Sequence, residues 1–179
     1  MGTVELSYRV LTADFREASY YALFLRKRVA FRIAAMLLIA FFVYAVLCVN
    51  GVVTMLPAAA FAASAVLIWG LMQFAFVERQ ILTYTRKPDT LIGEIYHARF
   101  GARRFTIEVP ARDFRVSGEL AELSAAFEIT HCFLLYVTGE QLFILPTREM
   151  TREQTDALRA ILSFALAGRF SSLFARKRG

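Results

Sequence analysis

The chain has two histidines, His97 and His131, and two cysteines, Cys48 and Cys132, and any metal, acid–base or nucleophilic chemistry they could do depends on partners at the right spacing. Both histidines fall in stretches that read as strand. Neither has a second histidine, cysteine or carboxylate at ligand spacing, apart from Cys132 directly after His131. Adjacent strand residues point to opposite faces, so that pair cannot share a tetrahedral ion. The sequence also lacks a glycine-rich phosphate loop, a Gly-x-Ser-x-Gly elbow and an acidic pair set in a cleft. The expectation is a protein that is not an enzyme and holds no metal or cofactor. Cys48 lies in an apolar run and Cys132 far from it, which gives no disulfide framework.

What remains with chemical reach is cationic, in a chain of net charge +6. Arg99, Arg103, Arg104 and Arg148 are the candidate contacts for an anionic headgroup or a protein partner. Arg103 and Arg104 stand just past a turn, where side chains are presented. Consecutive strand arginines diverge, however, and Glu108, Asp113 and Glu119 follow closely enough to blunt the local field. A second basic set, Arg26, Lys27, Arg28, Arg32, Arg79, Arg86 and Lys87, brackets two long apolar runs. That placement explains the charge through membrane topology, and nucleic-acid binding is not required.

The two runs, Ile33 to Val49 and Val52 to Val77, hold no formally charged residue and are separated by Asn50 and Gly51. A helix rises about 1.5 Å per residue and a bilayer core is about 30 Å thick, so roughly 20 apolar residues span it. Neither run carries the polar stripe of a soluble core helix. Hydrophobic residues make up 58% of the chain and the mean hydropathy is +0.49, too low for a protein that is all membrane. The expectation is a two-helix transmembrane hairpin over 33–77, multi-pass, with the lipid bilayer as a partner. Because lysine and arginine crowd its outer ends and the link to Pro57 carries no charge, both termini should be cytoplasmic. Ala59 and Ala63, or Ala58 and Ala62, stand four apart and allow close helix packing, within one chain or as a homo-oligomer.

Elsewhere the pattern is strand and helix. Val4, Leu6, Tyr8 and Val10 alternate with polar residues and predict a strand over Thr3 to Val10. Thr12 reads as an N-cap, and one helix can run from Ala13 into the first span. Leu91 to Arg99 predicts a strand that turns at Phe100, Gly101 and Ala102. Phe105, Ile107 and Val109 give the clearest strand, closed by Pro110, and Phe114 with Val116 a shorter one. Phe127 and Ile129 alternate with Glu128 and Thr130, Cys132 to Val137 is apolar on both faces, and a turn at Thr138, Gly139 and Glu140 leads to Gln141 to Leu145. Thr151 and Gln154 make a capping box for a helix with Leu158, Ile161, Leu162 and Ala165 on one face, ended by Gly168. The basic tail from Arg169 reads as a surface-lying segment or a frayed end.

The organisation expected is therefore an N-terminal strand and amphipathic helix (1–32), the hairpin (33–77), a cytoplasmic β domain (78–150), and a C-terminal helix with tail (151–179). The extramembrane part is α+β, an open barrel or sandwich of about seven strands, the N-terminal one included, with a helix packed on it.

Phe127-Glu128-Ile129-Thr130, then Phe133 to Tyr136, then Phe143 to Arg148 with Pro146 at the strand exit, resemble the YcxB-like membrane protein family. Phe127, Glu128, Thr130, Tyr136, Pro146 and Arg148 carry the likeness, and Thr147 stands where that pattern has lysine. The resemblance implies a bacterial inner-membrane protein whose cytoplasmic domain is similar to pleckstrin-homology barrels. Two functional readings follow: a membrane-anchored module that holds a protein or peptide, or a sensor of anionic headgroups. A membrane enzyme acting on lipid is a third, and it would need a polar pocket.

Overall fold

The computed structural model describes residues 3–23, 29–51, 55–137 and 141–172, with side chains omitted at 29–34, 55–59 and 61–62. The chain divides into two compact units, 1–18 with 87–179, and 19–86. The N-terminal strand and C-terminal helix, set apart by sequence as 1–32 and 151–179, thus share a unit with the β domain.

In the first unit, alternating side chains build strands β1 (Val4–Arg9), β2 (Ile95–Phe100), β3 (Arg104–Val109) and β4 (Phe114–Glu119). They pair antiparallel in the order β1-β2-β3-β4, with Val4 opposite Phe100 and Arg9 opposite Ile95. A second sheet is ordered β7-β6-β5-β8, from β5 (Ala125–Glu128), β6 (Cys132–Tyr136), β7 (Leu142–Pro146) and β8 (Phe170–Ser172). The two sheets do not close into one hydrogen-bonded barrel. Among the described residues the strands number eight rather than about seven, because the chain from Phe170 pairs parallel with β5. Arg169 prepares that pairing by donating to the Leu123 and Ala121 carbonyls at 2.9 Å. The tail therefore begins inside a sheet, and its residues beyond Ser172 lie outside the described residues, as does the 138–140 turn.

Leu6, Phe100, Phe105, Ile107, Phe133 and Leu145 fill the core, and every residue of β6 is buried, as its apolar character on both faces requires. Helix α4 (Arg152–Leu166) opens with the expected capping box: Thr151 Oγ1 accepts from Gln154 N–H at 3.2 Å, and Gln154 Oε1 accepts from Thr151 N–H at 2.9 Å. It buries Leu158, Ile161, Leu162 and Leu166. Its last turn is closed by Ala167 at φ 44°, not by Gly168. Helix α1 (Thr12–Tyr21) likewise starts one residue early. Leu11 takes the N-cap place, its N–H donating to Asp14 Oδ2 at 2.7 Å, and Thr12 is already helical.

The second unit holds α2 (Val29–Val49) and α3 (Met55–Thr85), with the last turn of α1. Tyr20 stacks on Phe74 at 5.8 Å and donates to Glu78 at 3.1 Å. Met36, Leu37, Leu38 and Ile39 are four consecutive residues and all exposed, so at about 100° per residue apolar surface surrounds α2. Leu67, Ile68, Leu71, Met72, Phe74 and Phe76 do the same over more than half of α3. Among the described residues one helix, Ala63–Thr85, is long and apolar enough to cross a membrane, and the described apolar part of α2, Ala35–Val49, is shorter. Whether α1 runs on into α2 falls on residues 24–28, outside the described set, with Arg26, Lys27 and Arg28. Of Arg32 only the backbone is described.

Candidate functional site

Each strand of the first sheet turns alternate residues away from the core, and register lines those residues up across the sheet. One row reads Ser7, His97, Glu108, Arg115, and the next reads Glu5, Arg99, Thr106, Ser117. Directly opposed side chains stand about 5 Å apart, close enough to interact. Arg99 reaches Glu5 at 2.7 Å and Arg115 reaches Glu108 at 3.1 Å, which leaves charge alternating from strand to strand. All of these residues except Ser117 line a concavity of about 510 Å³, to which Leu6 and Ala98 also contribute. His97 stands in it with its ring making no hydrogen bond or ion pair among the described residues.

The order Ser7, His97, Glu108 is that of a nucleophile, a base and an orienting acid. Glu108 is instead committed to Arg115, and no hydrogen bond joins the three among the described residues. Strand N–H groups lie in the plane of the sheet, where they cannot converge above the row as an oxyanion hole. What the arrangement offers is recognition by paired charges and hydroxyls.

The sheet's two edges differ. Along β1 two of the outward carbonyls are taken: Glu5 O accepts from Gln154 Nε2 at 3.0 Å and Arg9 O from Arg148 Nη2 at 2.7 Å. Along β4 no partner covers Phe114 to Gly118 among the described residues, and Phe114 and Val116 are only half-buried.

Of the four candidate arginines, Arg99 alone lines the concavity. Arg103 and Arg104 are exposed beside the β2–β3 turn, without an ion pair among the described residues. Arg148 lies at the first turn of α1 and not at a helix C-terminus: its guanidinium pairs with buried Asp14, which raises its pKa, and lies 3.4 Å from Glu149. Arg79 is exposed within α3, six residues before its end, and Arg86 and Lys87 are exposed just after it.

Among the motif residues, Pro146 closes β7 opposite Cys132, Tyr136 meets Phe127 edge to face at 5.7 Å, and Thr130 is exposed. Glu128 is buried against Arg159 of α4, so β5 turns Ala126 and Glu128 inward and leaves Phe127 half-buried, the reverse of its apolar alternation. His131 lies in the β5–β6 connection and not in a strand. Its Nδ1 is 3.1 Å from Glu17, whose other carboxylate oxygen accepts from His131 N–H at 3.3 Å. Cys132 is fully buried, and burial first, then the Glu17 and Asp14 charges, pushes its thiol up to about 12. Among the described residues no three histidine, cysteine or acidic side chains are grouped to hold a metal.

Register is what sequence reading missed: alternation set Ser7, Thr106 and Glu108 opposite the apolar residues of their strands, but only pairing places them beside His97. No protein-family model matches the chain, and no curated protein or solved structure is found to match it.

Proposed function

We propose that this chain is a membrane-anchored, non-catalytic interaction module that holds a segment of a protein partner by adding it as a strand to β4. The observation that carries the reading is the contrast between edges. Arg148 and Gln154 cap two of the β1 carbonyls, while β4 offers unpaired backbone flanked by half-buried Phe114 and Val116, which an incoming strand would cover. Ion pairs on Arg99 and Arg148 reduce the free cationic surface that headgroup sensing would use.

In this reading α2 and α3 cross a bacterial inner membrane as a hairpin with both termini cytoplasmic. The 21-residue length of α2 and the apolar surface around both helices support it, as do basic residues at their outer ends. Kinship with YcxB-like proteins and a PH-like domain belongs to the same proposal and rests on the sequence resemblance at Phe127 to Tyr136 and Phe143 to Arg148.

Photoreactive side chains at Ser117 on β4 and at Ser7 on β1, in the full chain in its native membrane, test the proposal. A discrete protein adduct from position 117 alone is expected, and one of twice the chain's mass would identify a second copy as the partner. Lipid adducts alone from both positions would replace strand capture with headgroup sensing.

A further inference from the structure

We infer that the concavity on the outer face of β1 to β4 is a binding site for a small zwitterion in which a phosphate and an ammonium group are joined by a short linker, a phosphoethanolamine-type group. This site is separate from strand capture at the β4 edge and does not rest on it. Its lining dictates the charge pattern of what fits. Arg99, His97 and the hydroxyls of Ser7 and Thr106 present donors from three neighbouring strands. Arg99 Nη2 holds Glu5 at 2.7 Å and Arg115 Nε holds Glu108 Oε1 at 3.1 Å, so a phosphate above the row would receive charge-assisted hydrogen bonds from the guanidinium N–H groups that Glu5 leaves over and hydrogen bonds from the hydroxyls, and an ammonium would donate to the second Glu108 oxygen. A polyanion is disfavoured, because Glu5 and Glu108 stand one strand away on either side of β2. A simple cation is disfavoured by Arg99 and Arg115.

A ligand with both charges satisfies the two patterns together. A two-carbon link sets phosphate and ammonium about one strand spacing apart, about 5 Å, the separation between the β2 donors and the Glu108 carboxylate on β3. The phosphate then lies over His97 and Arg99 and the ammonium over Glu108. The volume of about 510 Å³ accommodates such a group with room to spare. His97 is the one ring in the lining with nitrogens uncommitted among the described residues, and the strand register holds it between Ser7 and Glu108.

The test uses the full chain in nanodiscs of phosphatidylglycerol, with the imidazole resonances of His97 as reporter. Three soluble probes are added separately: phosphoethanolamine, inorganic phosphate and ethanolamine. Saturable displacement of the His97 signals by phosphoethanolamine is expected, at least about tenfold tighter than by either fragment. Arg99→Gln should weaken phosphoethanolamine and phosphate alike, whereas Glu108→Gln should weaken phosphoethanolamine and leave phosphate unchanged. All these side chains are at least partly exposed on the sheet surface, so the variants keep the fold. A second arm replaces part of the lipid by phosphatidylethanolamine with no soluble probe. A response there assigns the group to a lipid headgroup, and a response only in solution assigns it to a free phosphoamine. Phosphate binding as tightly as phosphoethanolamine, indifference to Glu108→Gln, or no response in either arm overturns the inference.

Discussion

Arg159 on α4 closes two N–H donors on the two carboxylate oxygens of Glu128, at 2.8 and 2.5 Å, although Glu128 has only 2% of its side chain exposed. The same guanidinium also holds Asp156 one turn back, and both contacts raise its pKa. A carboxylate so buried is tolerable only with its charge and lone pairs matched, so the pair fixes how α4 sits against β5.

Arg159→Ala should therefore cost about 3 kcal/mol, because it strands a buried charge. Cys132, fully buried on neighbouring β6, supplies the readout. Its alkylation by a small thiol reagent should accelerate roughly a hundredfold in the variant, as labelling follows the population of opened molecules. Replacing both partners by leucine should restore much of the protection, which separates an orphaned charge from lost packing. Unchanged labelling of Arg159→Ala would show that the pair does not hold the helix.

The buried thiol makes the domain sensitive to alkali. Its pKa is held at about 12 against 9.0 for the free group, so the folded state keeps the proton that the unfolded state releases. The resulting stability is complete below pH 9, falls as pH climbs towards about 12, and does so with a slope of at most about 1.4 kcal/mol per pH unit. Burial also raises the pKa of Tyr8, which adds to the loss above pH 10. Melting temperatures from pH 8 to 11 should fall less steeply for Cys132→Ala than for the parent chain. Parallel curves would remove the thiol as the cause.

Strand spacing was legible in the sequence wherever one face is buried, since Val4, Leu6 and Tyr8, or Phe105, Ile107 and Val109, must alternate with polar neighbours to line a core. It failed at β5, where the buried pair of Glu128 with Arg159 outweighs the apolar signal of Phe127, and at His131, where a connection resembles a strand because apolar Cys132 and Ile129 flank it. The candidate site was half legible for a related reason. Arg103 and Arg104 could be read as presented beside a turn, but the neutralisation of Arg99 by Glu5, like that of Arg148 by Asp14, joins residues distant in sequence. Loop closure, not local pattern, brings them together.

The membrane reading predicts a depth-dependent response to charge on α3. Leu71 is 68% exposed in the middle of the apolar segment Ala63–Thr85. A water-facing leucine tolerates arginine with little change, whereas one facing acyl chains makes insertion less favourable by about 3 kcal/mol. Leu71→Arg should thus lower the membrane-inserted fraction in a translocon insertion assay. The same exchange at Thr83, exposed near the helix end, should have little effect. Full insertion of Leu71→Arg would show that this face does not meet acyl chains.

The end of α4 gives a test in which the usual direction of a glycine substitution is reversed. Ala167 adopts φ 44° with ψ −114°, a left-handed backbone that its Cβ disfavours, while Gly168 beside it keeps an ordinary negative φ and has open space where a Cβ would go. Ala167→Gly should relieve the strain and stabilise the domain by about 1 kcal/mol, and Gly168→Ala should be neutral or slightly stabilising. A helix stopped by Gly168 itself would give the opposite pair of results, with Gly168→Ala destabilising. Because β8 follows within two residues and pairs with β5, the effect should appear as a change in protection of the Ser171 and Ser172 amides as well as in the melting temperature. Hydrogen exchange at those amides, slowed in Ala167→Gly, distinguishes relief of strain at the helix end from a general change in stability.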